Sequence, residues 1–240
     1  MREEERIVNE VAAALEQEPS IDLHRYPVLL EFAEGALTME GEMEHIMAKK
    51  RALEVAAAVS GVSGIVDRLR LAPAVRMGDG DIRDHVCTAL LAENLLSSCA
   101  VRAIVKGNAE VVRGGEGDGG SIDVEVNDGV VVLNGRVPSL SAKRLAGVLA
   151  WWVPGSRDVV NGIEVSPFEE DNDDEVVDAV RLVLEKDPFV NASQVRVTCR
   201  NYTVTLEGVV KSGSERQMAE ADCWYLFRVD RVTNLLQVGT

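Results

Sequence analysis

Residues 139–165 read SLSAKRLAGVLAWWVPGSRDVVNGIEV. A serine cap, apolar residues at helical spacing, a Pro-Gly stop and a β-branched run predict a helix that turns back into a strand. The same unit occurs three times. Gly135, Ala146, Val159, Asn161, Ile163 and Val165 recur at identical intervals as Gly41, Ala52, Ile65, Asp67, Leu69 and Leu71. They recur again as Gly208, Ala219, Val232, Asn234, Leu236 and Val238. The hairpin leading into each glycine matches as well: GALTMEG at 35–41, GVVVLNG at 129–135 and YTVTLEG at 202–208. A period of this kind outranks any single residue as a guide to architecture.

Working outward, copy one predicts a helix over 4–17, with Ile7, Val11, Ala14 and Leu15 at helical spacing and acidic residues in the first turn. Strands follow at 28–32 and 36–40, then a helix over 44–60 closed by Gly61 and a strand at 65–71. Copy two starts at Asp81, a good N-cap, with Ile82, Val86 and Leu90 on one face. Its hairpin turns at Asp128-Gly129 between strands 122–126 and 130–134. Copy three predicts a helix over 175–185, a break at Asp187-Pro188, strands at 195–199 and 203–207, a helix over 214–227 and a strand at 232–238. The fold class is α+β: three tandem α-β-β-α-β units, each a three-stranded sheet covered by two helices. The copies span 1–72, 81–166 and 174–240, with linkers at 73–80 and 167–173. Copy two is longer than the others: Val86 to Gly135 is 49 positions, against 28 from Val180 to Gly208. The insertion lies near 93–120 and predicts an extension of the helix or an extra strand, then a mobile glycine-rich loop at 114–120.

Composition sets bounds. In 240 residues, hydrophobic content of 46% with only 4% aromatic predicts aliphatic cores. The net charge of −15 argues against nucleic acid as a partner. Cys87, Cys99, Cys199 and Cys223 form no CxxC pair and read as buried free thiols. Residues 1–6, MREEER, offer no apolar h-region, and no 18-residue apolar span occurs, so the expectation is a cytosolic chain, or a periplasmic one if a leader was removed.

Candidate chemistry is sparse. His24, His45 and His85 are scattered without metal-ligand spacing, and no nucleophile motif is present, so neither an enzyme, a cofactor nor a bound metal is expected. The glycine run lacks the Gly-Lys-Ser/Thr end of a phosphate cradle. The acidic run 169–175 reads as a solvated linker rather than a cation chelator, and its repulsion keeps copies two and three apart or extended. Trp151-Trp152 and Trp224-Tyr225 share one repeat position, where copy one has Ala57-Ala58. Trp152 falls on the inward stripe of its helix or at its edge. Trp151 falls on the polar side with Arg144, and Trp224 takes the matching place after Gln217. Trp151 and Trp224 are therefore candidates for an interaction surface, a partner or lipid anchor; the alternative is packing between copies or against the insertion. Asp222 aligns with Val55 and Leu149 on an inward stripe, so either the last helix is rotated or this carboxylate meets a partner.

These motifs resemble the bacterial OsmY and nodulation (BON) domain. The resemblance rests on GVVVLNG at 129–135, on VVNGIEV at 159–165 and on VTNLLQV at 232–238. Tyr202 stands where the family prefers glycine, and Asp67 where it prefers asparagine. The resemblance implies a non-enzymatic binding or scaffold protein of stress response, associated with phospholipid or an envelope protein. Potassium binding by a cytosolic relative implies the alternative, a sensor for a potassium or calcium cation or another small ligand.

Overall fold

The computed structural model describes residues 3–239; residues 1, 2 and 240, which the expected first and third copies include, lie outside the described residues. The chain divides into two compact units, Met1–Pro73 and Ala74–Thr240.

The first unit holds α1 (Glu3–Glu16), β1 (Val28–Ala33), β2 (Ala36–Met43), α2 (Ile46–Ala57) and β3 (Gly64–Leu71). The helix α1 buries Ile7, Val11 and Leu15, one residue per turn on a single face. His45 caps α2, its Nδ1 accepting from Ala48 N at 3.1 Å. The sheet order is β1-β2-β3, with β1 antiparallel and β3 parallel to the central β2. Leu37, Met39, Leu69 and Leu71 point to the helices, while Leu29 and Val66 lie on the open face.

The second unit carries copies two and three. Copy two comprises α3 (Asp79–Ala92), a single 3-10 turn at Asn94–Leu96, β4 (Ala100–Val105), β5 (Asn108–Arg113), β6 (Ser121–Asn127), β7 (Val130–Val137), α4 (Leu140–Trp151), β8 (Asp158–Asn161) and β9 (Glu164–Val165). Copy three comprises α5 (Asp173–Lys186), β10 (Val195–Arg200), β11 (Thr203–Val210), α6 (Gly213–Tyr225), β12 (Arg231–Asn234) and β13 (Gln237–Val238). In both copies the hairpin is antiparallel and the strand after the second helix returns parallel to its second arm. That last strand is in two pieces. Asn161 and Asn234 interrupt it by accepting from Ile163 N and Leu236 N and donating Nδ2 to Lys143 O and Arg216 O on the preceding helix.

The repeat glycine has a steric cause. Gly135 and Gly208 sit at φ +117 and +136, and a Cβ there would lie 2.1 Å from Ser121 O and 2.0 Å from Gln194 O. Only glycine fits so close a crossing of two strands.

Several expectations are corrected. The insertion is a β-hairpin, two strands where a longer helix or one extra strand was expected: β4 adds parallel to β6 and β5 pairs antiparallel to β4, and with the last strand in two pieces the sheet has six strands. The glycine run is tied down rather than mobile. Ala100 N donates to Gly120 O, Glu116 N to Ser98 O and Gly119 N to Glu116 O, and a Cβ on Gly119 would meet Ser98 O at 2.3 Å. The cap of α3 is Gly78, not Asp81. Asp79 instead turns back to the copy-two hairpin and accepts from Asp128 N and Gly129 N, as Asp173 accepts from Asn201 N and Tyr202 N in copy three.

The acidic run does not hold copies two and three apart. Glu169 accepts from Leu140 N at the start of α4, and Asp171 pairs with Arg144 at 2.5 Å. Asn172 caps α5. Cations and orphan helix N–H groups absorb the negative charge that was expected to repel.

Candidate functional site

The helix α4 is the shared wall of copies two and three. Its inward residues Ala142, Leu145, Ala146 and Leu149 belong to the core of copy two, while Val148 belongs to the core of copy three. Trp152 packs against both. Arg144, on the side read as polar, is 1% exposed. Its guanidinium reaches Asp171 and Glu175 O and lies 4.7 Å from the centre of the Phe227 ring. The charge is therefore paired, donated and stacked, which is what burial of a cation demands.

Beside this wall opens a cleft of about 320 Å³. Trp152 comes from α4, Asp187, Pro188 and Phe189 from the end of α5, and Met218, Asp222 and Tyr225 from α6. The Asp-Pro pair stops α5, and Asp187 Oδ1 turns the chain by accepting from Phe189 N at 2.8 Å. Phe189 is left 70% exposed at the rim.

Asp222 is 3% exposed. It does meet a partner, as one reading of its inward position expected: Trp152 Nε1 donates to Oδ1 at 3.0 Å. Oδ2 is buried and finds no N–H donor; the carboxyl's other hydrogen bond is with Asp187. Its neighbour is the carboxyl of Asp187, itself 7% exposed. Burial pushes the Asp222 carboxyl up to about 8; the Trp152 hydrogen bond opposes the shift and Asp187 adds to it. The Tyr225 hydroxyl is raised by burial and then by the Asp222 charge.

Of the predicted surface aromatics, Trp151 is half-buried and stacks on Tyr225, with centroids 5.6 Å apart and planes at 22°. Trp224 departs from its expected exposure: it is only 3% exposed. The two positions share a repeat register but not an environment. Sequence reasoning took Asp187-Pro188 only as a helix break and passed over Phe189 and Met218. A phenylalanine directly after the Asp-Pro helix stop was the available signal.

The departures from the repeat pattern are compensated. Asp67 cannot donate as Asn161 and Asn234 do; Lys49, aligned with Lys143, pairs with it at 3.0 Å and donates to Leu69 O. Tyr202 holds φ +57 in its turn, fixed by Asp173 at its N–H, by a hydrogen bond from its hydroxyl to Asp171 O and by Arg228 over its ring. Cys87, Cys99 and Cys223 are buried free thiols and Cys199 is half-buried. Burial pushes Cys87 up to about 11, and burial with the nearby Asp173 pushes Cys199 to about 12. His45 serves as a cap and His85 bonds to Asp81 O. Among the described residues no group of three or more His, Cys, Asp or Glu side chains is placed to hold a metal ion, and no helix is long and apolar enough to cross a membrane.

The sequence profile of the BON domain matches the chain over residues 3–73, 78–167 and 172–240. No curated protein matches it. Among solved structures, the chain is similar to the C-terminal domain of CdsD, the structural protein of the type III secretion system of Chlamydia trachomatis, at 15% identity over 98% of both chains with a TM-score of 0.26. A second structure of CdsD from the same organism aligns at 15% identity over 98% of this chain and 92% of that one, with a TM-score of 0.25.

Proposed function

The chain belongs to the BON domain family, in three tandem copies, and on that premise we propose that it is a non-enzymatic binding or scaffold module that associates with phospholipid or an envelope protein in stress response. The observation that carries this reading is the apolar cleft between copies two and three, with Phe189 70% exposed at its rim and the Trp151–Tyr225 stack close by. Large exposed aromatics beside a cleft are where binding energy concentrates in interfaces. The net charge of −15 favours a neutral or zwitterionic surface over an anionic one, and disfavours nucleic acid.

Flotation with zwitterionic and anionic vesicles tests it. The expected result is flotation on zwitterionic lipid that weakens in Phe189→Ala and Trp151→Ala. Protein that stays at the bottom with every lipid ends the phospholipid reading and leaves an envelope protein as the partner to seek. Trp224→Ala removes a buried ring and serves as the folding control rather than as a surface variant. The alternative, a potassium or calcium sensor, has weaker support, because the carboxylates of the acidic run are already engaged: Glu169 and Asp171 by Leu140 N and Arg144 of copy two, and Asp173 by the hairpin of copy three. A melting temperature unmoved by millimolar potassium or calcium would end it.

A further inference from the structure

Asp222 Oδ2 finds no N–H donor, in a residue 3% exposed on the wall of a 320 Å³ cleft, and the carboxyl's remaining hydrogen bond is with the carboxyl of Asp187. A buried carboxyl oxygen must be protonated or accept a hydrogen bond. The two carboxyls therefore share a proton, and a cation that enters can take that proton's place. The rest of the lining says what that cation is. Asp187 sets a second carboxyl nearby, and Trp152, Phe189 and Tyr225 supply rings. Two carboxyls select a cationic donor, and aromatic walls select a cation carried on an apolar body. A bare calcium ion fits poorly, since it takes six to eight oxygen ligands. Here one oxygen of each carboxyl is already engaged, by Trp152 Nε1 and by Phe189 N. The volume stands at the lower end of the range for ligand pockets, about 300–1,000 Å³, which limits the guest to a small molecule or one side chain.

We propose that this cleft binds a small organic cation, an alkylammonium or alkylguanidinium, whose charged head donates to Asp222 and Asp187 and whose apolar body lies against Trp152, Phe189 and Tyr225. The proposal rests on the reading of this chain as a non-catalytic binding module and names the chemistry that its cleft selects. The titratable groups lining the cleft are Asp187, Asp222 and Tyr225, so binding of a cation displaces a proton from the carboxyl pair and strengthens as pH rises towards 8.

Calorimetric titration of the intact chain tests it, with phenethylammonium and butylguanidinium as probes and phenylethanol and butylurea as neutral isosteres. The expected result is saturable binding of both cations, at least about tenfold weaker binding of the neutral pair, and a loss of about tenfold or more in Asp222→Asn. That variant keeps an oxygen to accept from Trp152. The comparison with neutral probes needs only the unaltered protein, so the test does not depend on the variant folding. Equal binding of the neutral isosteres, cation binding unchanged in Asp222→Asn, or no saturation at about 10 mM overturns the proposal. Nα-acetyl-lysine methylamide separates the two sources of an ammonium: binding as tight as a free amine places the cation on a polypeptide, preference for the amine places it in solution, and either upholds the site. A chain that floats with vesicles but ignores the amines keeps the broader reading and loses this one; amine binding without flotation does the reverse.

Discussion

Asp222 and Asp173 show how position decides what a carboxyl does. Asp222 is driven towards its neutral form by burial, to about 8, well above an unfolded aspartate. Between the unfolded value and 8 the native state binds the extra proton, so this contribution to stability is complete at low pH and is lost as pH rises towards and through 8. Asp222→Asn removes the dependence. The expected outcome is a melting temperature above wild type by several degrees at pH 8 and close to wild type at pH 4, read as the difference between two thermal scans. Asp173 has the opposite sign. Hydrogen bonds from Tyr202 N and Asn201 N hold it below the usual range, so its contribution is present above the unfolded value and is lost as pH falls through the folded one. The thiols give a second check. Burial keeps Cys87 and Cys199 protonated, with values near 11 and 12. At pH 8 the native protein should react slowly with a thiol reagent and expose all four cysteines on addition of denaturant; a fast native phase would place a thiolate where the fold places none.

The helix α4 explains what was legible in the sequence and what was not. The Ser139 cap, the inward stripe and the closing glycine turn obey local rules, so the helix and its strand could be read from the chain alone. The other face could not. Arg144 looks like a solvent residue on an isolated helix, and it is buried because a second copy packs on that side. The same cause misled the reading of the acidic run, whose carboxyls find cations and helix termini only once both copies are in place. The insertion was ambiguous for a different reason: a short apolar run such as 101–105 fits a buried strand or a helix equally well. Arg144→Ala is expected to cost about 3 kcal/mol, because it opens a cavity and leaves Asp171 with only the longer pairing to Arg228 at 3.8 Å. Urea unfolding followed by hydrogen exchange would read the loss, which should fall first on α5 and the linker before it. In copy one, Asp67→Asn restores the residue that the family prefers, yet it removes the counter-charge of Lys49, 4% exposed. The expected result is a loss of about 2–4 kcal/mol, seen as faster exchange at Leu69 N; a neutral outcome would mean that the ammonium does not need this counter-charge.

Three copies of one domain need not make three bodies. Copies two and three share α4, Trp152 packs against both cores, and Arg144, Asp171, Lys186 and Glu93 tie the elements of one copy to those of the other. Copy one forms the separate unit Met1–Pro73. The tryptophans make this testable without labels, since Trp151, Trp152 and Trp224 all belong to the unit Ala74–Thr240. Urea unfolding watched by tryptophan fluorescence should therefore follow one cooperative transition of copies two and three together, while far-UV circular dichroism adds a second step for copy one. Hydrogen exchange should give β7 and β11 one common opening free energy, the mark of a single cooperative unit. In Arg144→Ala that common value should separate, with β11 opening first, because the interface and not the individual sheets has been weakened. Independent exchange of β7 and β11 in the unaltered protein would return copies two and three to beads on a string, and the cleft between them would then open whenever either copy moved.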